Sequence, residues 1–225
     1  MHLVVLQQRG GLVAIDKPPG LLVIPGRAPD DQVCAKSMLE AQLGTRIWVC
    51  HRIDRDTSGV VLFATDAEAH RAASMAFERG DAKKKYLALV EGVVSTPLDI
   101  DVPLTEARKG KMRPCFPGEE GKPARTLVRP VEVFPKANAS LVECEPLTGR
   151  QHQIRVHLKV KGHPLLVDHQ YGRKEPLVIG GVTLARTPLH AAWLSIPSLE
   201  LEVSSPLARD LRELISALSG SSGGA

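Results

Sequence analysis

The sequence predicts an α+β fold, in which a mixed and largely antiparallel β-sheet carries helices on its faces. Short runs of branched apolar residues recur along the 225 residues, and stretches rich in Ala, Glu, Gln and Met lie between them. Several consecutive apolar runs form hairpin-like pairs, which favours antiparallel strands. With 43% hydrophobic residues, the chain is long enough to bury the core of one domain.

Strands dominate the first half of the chain. The apolar runs there predict strands at residues 3–6, 12–15, 47–50, 60–64 and 86–94. Residues 30–43 and 66–79 contain no internal Pro or Gly, which predicts two helices. Asp66 is expected to cap the second helix, because its carboxylate can accept a backbone N–H of the first turn.

The second half begins with a predicted hairpin. Residues 124–134 and 140–147 indicate two paired strands, which the turn-forming sequence PKANA connects. A helix is predicted over residues 150–161, with Thr148 as its cap and with Ile154, His157 and Leu158 on one face.

The carboxy-terminal part predicts two strands, Leu189–Ile196 and Leu199–Val203, and a helix from Pro206 to Leu218. The final residues, SGSSGGA at 219–225, are too polar and glycine-rich to pack and are predicted to be disordered. We therefore expect one domain over residues 1–218.

Charge and composition limit the possible functions. The formal net charge is +4, and basic residues cluster in the run KKK at 83–85 and in a segment rich in Gly and Pro that holds Lys109, Lys111 and Arg113. Such loops can follow a phosphate backbone. Aromatic residues make up only 4% of the chain, which argues against a binding module that reads successive bases by stacking.

The cysteines and the hydropathy indicate a cytoplasmic protein. The 4 cysteines form no CxxC motif, so neither a redox pair nor a thiolate zinc site is predicted. The start MHLVVLQQRG has no basic region or apolar run typical of a signal peptide, and no segment approaches the roughly 20 apolar residues of a membrane span.

A dense polar segment, HRIDRDTSG at residues 51–59, joins two apolar runs. A loop of this kind lies at the end of a sheet, where partly desolvated charges can act on a substrate. Composition alone favours a simpler interpretation, a solvated turn in which Arg52 and Arg55 neutralise Asp54 and Asp56.

The segment HRIDRDTSG resembles the HRLDxxTSG signature of the RluA-type pseudouridine synthases, with Ile53 in place of Leu. Other motifs of that family follow in order: DKPPGLLVIPGR, KKYLALVEG, GKPARTLVRP, TGRQHQIRVHL and LHA. The chain resembles the short members that lack an S4-type RNA-binding module. The resemblance implies a pseudouridine synthase fold with a central RNA-binding cleft, in which specific uridines of ribosomal or transfer RNA are isomerised by base flipping.

The resemblance also implies the catalytic residues. Asp54 matches the essential carboxylate that attacks the target nucleotide. Tyr86 matches a tyrosine whose ring packs on the flipped base and whose hydroxyl assists proton removal from carbon 5. Arg155 matches an arginine that pairs with the carboxylate and keeps it ionised.

Substrate contacts are expected from the residues Arg52, Thr57, Lys85, Arg150 and Ile154. Arg52 matches the side chain that fills the space left by the extruded base. Asp56 occupies a variable position of the signature, so we expect it to be structural and paired with Arg55. The chemistry implies no metal and no organic cofactor, and a domain of this size is expected to work as a monomer.

Two alternatives remain open from the residues alone. The first is a metal-dependent hydrolase that uses a histidine cluster: His152, His157, His163 and His169, together with Asp168. The spacing of His152 and His157 places them on different sides of a helix, unlike the HExxH arrangement. The second alternative is a noncatalytic RNA-binding protein, for which Asp54 would be dispensable.

The chain departs from the family at one turn. Where the family has GDxxYG, the sequence reads VDHQYG, with Val167 in place of the glycine. A β-branched residue disfavours positive φ, so we expect this loop to have a different local geometry.

Overall fold

The computed structural model describes residues 2–28 and 31–220. In this part of the chain the α-helices are α1 (Ala35–Leu43), α2 (Ala67–Glu78), α3 (Gln153–Val160) and α4 (Arg209–Gly220). The strands are β1 (Val4–Arg9), β2 (Leu12–Lys17), β3 (Trp48–Val49), β4 (Ser58–Ala64), β5 (Lys83–Glu91), β6 (Leu98–Asp101), β7 (Leu104–Glu106), β8 (Met112–Pro114), β9 (Arg125–Phe134), β10 (Ala139–Pro146), β11 (Leu177–Ile179), β12 (Val182–Leu184), β13 (Leu189–Ile196) and β14 (Leu201–Ser204). These elements form two compact units, one of residues up to 84 with 190–208 and one of residues 85–189 with helix α4.

The first unit is built on the strands β1, β2, β4 and β13, which are neighbours in that order. Strand β3 also pairs with β4, and β14 pairs with β13. All these pairs are antiparallel except β4 with β13, which run parallel. Helix α2 presents its small residues Ala69, Ala73 and Ala76 to a buried cluster that includes Leu62 and Ile196.

The two predicted helices of this unit are present. Asp66 accepts a hydrogen bond from the Ala69 N–H (2.8 Å), so its predicted role as N-cap of α2 is confirmed. Helix α1 begins at Ala35, later than predicted, because Cys34 and Ser37 form a reciprocal cap at that point. The predicted start at residue 30 lies outside the described residues.

The second unit contains an antiparallel sheet with the strand order β5, β10, β9 and β6. The predicted hairpin is present as β9 and β10, joined by a 3₁₀ turn at Pro135–Ala137 and by Asn138 in the left-handed conformation. Helix α3 contacts β8, β9 and β10, and α4 packs on the small β11–β12 hairpin. The sequence missed the short strands β6, β7, β8, β11 and β12, which have three or four residues each.

Three boundary predictions are wrong. Thr148 does not cap α3, because its hydroxyl donates to Gln153 Oε1 (2.7 Å) and His152 occupies the cap position with a φ of 52°. Helix α4 begins at Arg209 rather than at Pro206. The predicted disordered tail at 219–225 begins inside α4, which continues to Gly220, and residues 221–225 lie outside the described part.

The fold class is confirmed. Ile154, His157 and Leu158 of α3 are buried, together with the other residues of the range 153–158. In the described ranges, no helix is long and apolar enough to cross a membrane. The structure therefore combines largely antiparallel strands with helices, as the hairpin-like spacing of apolar runs predicted.

Candidate active site

The polar segment at residues 51–59 consists of a loop of the first unit that leads from β3 to β4 and of the first two residues of β4. At its start, the Leu62 N–H donates to His51 Nε2 (3.0 Å), so the proton of the neutral ring is on Nδ1. Burial, together with the nearby Lys84 charge, lowers the pKa of His51 to about 3. His51 is thus a neutral residue that fixes the beginning of the loop to strand β4.

Lys17 fixes the loop immediately after Asp54. Its ammonium is fully buried and donates to the carbonyls of Pro18 (2.8 Å), Leu21 (2.8 Å) and Arg55 (2.9 Å). The Thr57 N–H closes a turn onto the Asp54 carbonyl (3.2 Å). The backbone on both sides of the partly buried Asp54 side chain is therefore held in place.

The charges of the loop do not neutralise one another as composition suggested. The Arg55 guanidinium pairs with Asp31 (2.6 Å), not with the neighbouring Asp56, so that expectation is wrong. The neighbouring Arg52 is exposed.

The end of the loop is fixed by the LHA motif. Gly59 has a φ of 107°, and a Cβ at this position would overlap the backbone of Ala191 on the parallel strand β13. Beside it, His190 Nε2 donates to the Ser205 carbonyl (3.3 Å), so Nδ1 accepts from the Ser58 hydroxyl (2.9 Å). The TSG and LHA motifs are therefore two halves of one buried contact.

Thr57 differs from its neighbours. Its side chain is 1% exposed, and its hydroxyl has no hydrogen-bond partner among the described residues. Buried polar groups without a partner are rare in folded proteins and need an explanation. Thr57 belongs to the turn that carries Asp54, since its N–H donates to the Asp54 carbonyl (3.2 Å).

Tyr86 and Lys85 lie on strand β5 of the second unit. Tyr86 shares a face with Ala88 and Val90 and packs against a buried cluster, as the two-residue period of a strand requires. Lys85 points to the opposite face, where its ammonium lies 3.6 Å from the Glu143 carboxylate.

Arg155 is held by Asp168, a partner that the sequence analysis did not assign to it. Its Nε and one terminal nitrogen donate to the two carboxylate oxygens of Asp168 at 2.8 and 2.7 Å. Both side chains are buried, with 8% and 1% exposed. Arg155 also donates to Gln170 Oε1 (3.2 Å), and its guanidinium carbon lies 5.0 Å from the centre of the Tyr171 ring.

The ionised state of Asp168 is stabilised from several sides. Burial by itself raises the pKa of the carboxyl, but the hydrogen bonds and charge of Arg155 outweigh that effect. The backbone N–H groups of Gln170 and Tyr171 donate to the same carboxylate at 3.0 and 3.1 Å. The pKa of Asp168 consequently lies below its usual value.

Tyr171 connects this pair to a small hairpin. Its hydroxyl accepts from the Met112 N–H of strand β8 (2.7 Å) and also bonds His152 Nδ1 (2.8 Å). The sequence contained a signal for these roles, because Asp168 and Tyr171 are the matched letters of VDHQYG. Val167 is fully buried, and it is not among the described non-glycine residues with positive φ.

Other residues of the TGRQHQIRVHL motif stabilise the second unit through hydrogen bonds and core packing. Gln153 is buried and uses its whole amide, accepting from Thr148 and the Arg150 N–H and donating to strand β9. Arg150 Nε donates to the Pro123 carbonyl (3.0 Å), and Ile154 packs in the core with Tyr86.

The four histidines of the possible metal cluster each bond to different residues. His152 bonds Tyr171, His163 bonds the Glu91 carbonyl, and His169 bonds the Ala185 carbonyl. His157 is fully buried between Thr126 and the Val102 carbonyl, and this burial lowers its pKa. Among the described residues, no three His, Cys, Asp or Glu side chains are grouped like metal ligands.

A scan of family models matches residues 11–159 to the RNA pseudouridylate synthase family. The chain is also 36% identical over 203 residues to the dual-specificity RNA pseudouridine synthase RluA of Salmonella typhi, which covers 86% of both proteins. The chain belongs to the RNA pseudouridylate synthase family. A second relative, tRNA pseudouridine synthase C of Salmonella typhimurium, is 34% identical over 85% of this chain and 79% of its own length.

Solved structures give the same result. Human RNA pseudouridylate synthase domain containing 4 superposes with a TM-score of 0.78 and 27% identity, over 96% of this chain and 93% of the human one. The protein is therefore an RNA pseudouridine synthase of RluA type, and the alternatives of a noncatalytic binding protein and a metal hydrolase are set aside. The structure places Asp54, Thr57 and Arg52 in one loop of the first unit, and Tyr86 and Arg155 in the second unit.

Proposed function

We propose that this pseudouridine synthase isomerises uridines of ribosomal or transfer RNA and that Asp54 is its catalytic carboxylate. The observation that carries the proposal is the loop at residues 51–59, where Lys17, His51 and the Thr57 N–H hold the backbone around a partly buried aspartate. A fixed backbone limits the positions that the carboxylate can take, which is what attack on one atom of a bound nucleotide requires. The relatives named for dual specificity and for transfer RNA support the substrate class.

The reaction breaks the bond between ribose C1′ and uracil N1 and forms a new bond from C1′ to C5. A carboxylate can begin it by attack on C1′, by attack on C6 of the base or by removal of the C2′ proton. The uridine must first leave its stack, at a cost of a few kcal/mol that is smallest in loops. Arg52, exposed at the start of the signature loop, is proposed to fill the space that the base leaves.

Tyr86 and Arg155 are proposed to serve the same reaction. Tyr86 offers its ring to the flipped base and its hydroxyl to the proton on C5. Arg155 supplies a guanidinium whose orientation is set by the buried Asp168 and by the Tyr171 ring. A guanidinium stabilises the ionised form of a carboxylate that it meets, which suits a role beside Asp54.

Four other residues are proposed to contact the substrate, and the surroundings of each indicate the kind of contact that it can make. Thr57 has a buried hydroxyl with no hydrogen-bond partner among the described residues, which suits a bond to the nucleotide. Lys85 and Arg150 carry the charge that a phosphate requires, although each already has a partner within the unit. Ile154 can act only through its apolar surface.

The central test replaces Asp54 by Asn and uses the neighbouring Asp56→Asn as the matched control. Asp54→Asn is expected to lower tritium release from [5-³H]uridine RNA by about 10³-fold or more, while RNA binding is kept. Asp56→Asn is expected to remain active, because it lies at a variable position. Full activity of Asp54→Asn would disprove the assignment.

We further propose that the enzyme works in the cytoplasm and as a monomer. The location follows from the proposed substrates, since ribosomal and transfer RNA are cytoplasmic. The monomer follows from a chain that supplies every proposed active-site residue itself. Analytical ultracentrifugation at micromolar concentration tests the second statement, and an active dimer whose dissociation abolishes turnover would contradict it.

A further inference from the structure

One aromatic side chain of the second unit is exposed without an evident role in the fold. Among the Phe, Tyr and Trp residues of the described ranges, Phe116 alone is classed as exposed, with 62% of its surface accessible. Single exposed apolar residues are common on protein surfaces, so exposure by itself carries no inference. The way in which the surrounding chain holds this residue is unusual.

Phe116 begins a turn that its own sequence makes rigid. The Glu119 N–H donates to the Phe116 carbonyl (3.0 Å), Pro117 occupies the second position, and Gly118 has a φ of 85° at the third. This is the residue pattern of a type II turn, in which proline fixes φ and glycine accepts the positive value. The Glu119 carboxylate closes the turn by accepting the Phe116 N–H (2.9 Å).

The turn is attached to the body of the unit on both sides. Before it, the Cys115 N–H donates to the Pro103 carbonyl (3.0 Å). After it, Leu104 and Lys122 exchange two backbone hydrogen bonds of 3.0 and 2.8 Å. A side chain at Gly121 would overlap the Cys115 sulfur, so the chain passes here at close approach.

Arg113 braces the ring itself. Its two terminal nitrogens bond the two carboxylate oxygens of Glu119 at 2.5 and 2.9 Å. In this position its guanidinium carbon lies 5.0 Å from the centre of the Phe116 ring. The fork geometry orients the guanidinium, so the cation lies over one face of the ring.

The charges of the segment that holds the ring favour a nucleic acid as the occupant. Residues 104–122 contain the basic residues Arg108, Lys109, Lys111, Arg113 and Lys122 and the acidic residues Glu106, Glu119 and Glu120. Glu119 is neutralised by Arg113, and the pKa of this carboxyl falls to about 2, first because of the Arg113 hydrogen bonds. An aromatic face beside net positive charge is the arrangement that binds an unpaired base and its phosphates.

We propose that Phe116 is a stacking site for an unpaired base of the substrate RNA, separate from the residues that perform the chemistry. The proposal rests on RNA being the substrate and is independent of the role given to Asp54. Base stacking on an aromatic side chain predicts a loss of roughly 5- to 150-fold in RNA affinity when the ring is removed. Because the ring is held before RNA arrives, little entropy is lost on binding.

The test compares Phe116→Ala and Phe116→Trp with the control Val178→Ala, which removes an apolar side chain that is 63% exposed in the same unit. The probes are [5-³H]uridine-labelled transfer RNA and ribosomal RNA fragments that the wild type converts. Phe116→Ala is expected to raise Kd and KM with kcat unchanged. Phe116→Trp is expected to keep the affinity, and Val178→Ala to change nothing.

Fluorescence gives a direct reading of the contact. Binding of RNA is expected to quench the emission of Phe116→Trp beyond any change in the wild type, which contains Trp48 and Trp193. Wild-type affinity in Phe116→Ala, or an added tryptophan whose emission is not quenched, overturns the proposal, and either result would assign the ring to a protein partner or to plain surface.

The result can be separated from the test of Asp54. Binding is measured again in the Asp54→Asn background, where turnover is expected to be lost. Dependence of Kd on Phe116 in that background supports the stacking site whatever Asp54 does. An active Asp54→Asn enzyme would refute the catalytic assignment and leave the stacking result unchanged.

Discussion

Replacing Asp168 by Asn tests whether the buried pair with Arg155 is structural as well as functional. The substitution keeps the shape of the side chain and one oxygen, which can still accept the N–H groups of Gln170 and Tyr171. It removes the charge that faces two guanidinium nitrogens at 2.7 and 2.8 Å. The amide nitrogen that replaces one oxygen is itself a donor, so it opposes a donor of Arg155.

The magnitude follows from burial. The two side chains are 8% and 1% exposed, and breaking a buried ion pair by removing one partner is expected to lower the free energy of unfolding by about 3–5 kcal/mol. The surface pair of Arg9 and Glu200 is the matched contrast, with 65% and 79% exposed. For Glu200→Gln we expect the free energy of unfolding to fall by about 0–1 kcal/mol, because water screens the pair.

Urea unfolding followed by circular dichroism measures both variants, with the free energy taken from the midpoint and slope. Equal shifts for Asp168→Asn and Glu200→Gln would show that the buried geometry contributes nothing special and would refute the reasoning. The pH dependence has a fixed sign, because the pKa of Asp168 is lower in the folded state. The contribution of ionised Asp168 to the free energy of unfolding is present above about pH 4 and is lost as the pH falls through the folded pKa. In Asp168→Asn this part of the pH dependence is expected to be absent.

Two further predictions concern the signature loop. Gly59→Ala is expected to lower the free energy of unfolding by about 3 kcal/mol or more, because it combines a positive φ with overlap on Ala191. Gly10 also has a positive φ but lies in open space, so Gly10→Ala is expected to lower it by about 1–2 kcal/mol. Similar melting curves for the two variants would contradict the close contact. For His51, whose folded pKa is about 3 because of burial and the Lys84 charge, stability is present above about pH 6.5 and declines as the pH falls toward 3. His51→Gln is expected to flatten that decline in acid unfolding curves, and unchanged slopes would show that the histidine is not held neutral.

Local chemistry allowed much of the fold to be predicted from the sequence. Asp66 was recognisable as a cap because its partner, the Ala69 N–H, lies three residues away. The hairpin of β9 and β10 was predicted because the apolar runs and the turn PKANA are adjacent in the chain. The short strands of three or four residues were not predicted, because so few residues show no clear alternation of apolar and polar side chains.

The candidate site divides in the same way. Asp54 was selected by a contiguous signature. The expectation that Arg55 would pair with Asp56 failed, because the Arg55 guanidinium pairs with Asp31, which is distant in the sequence (2.6 Å). Thr148 seemed a helix cap by position, but Gln153 offered its hydroxyl a better partner. Sequence neighbours were therefore a poor guide to side-chain partners.

By itself, the sequence determined the fold class, the family and the aspartate on which the chemistry is proposed to depend, because each of these is written in contiguous residues. Only the tertiary structure decided that Lys17 holds the Arg55 carbonyl, that Asp168 holds Arg155, and that the TSG and LHA motifs meet. These contacts join residues 13 to 132 positions apart. Their strength depends on burial and on angles between groups, which exist only when the chain has folded.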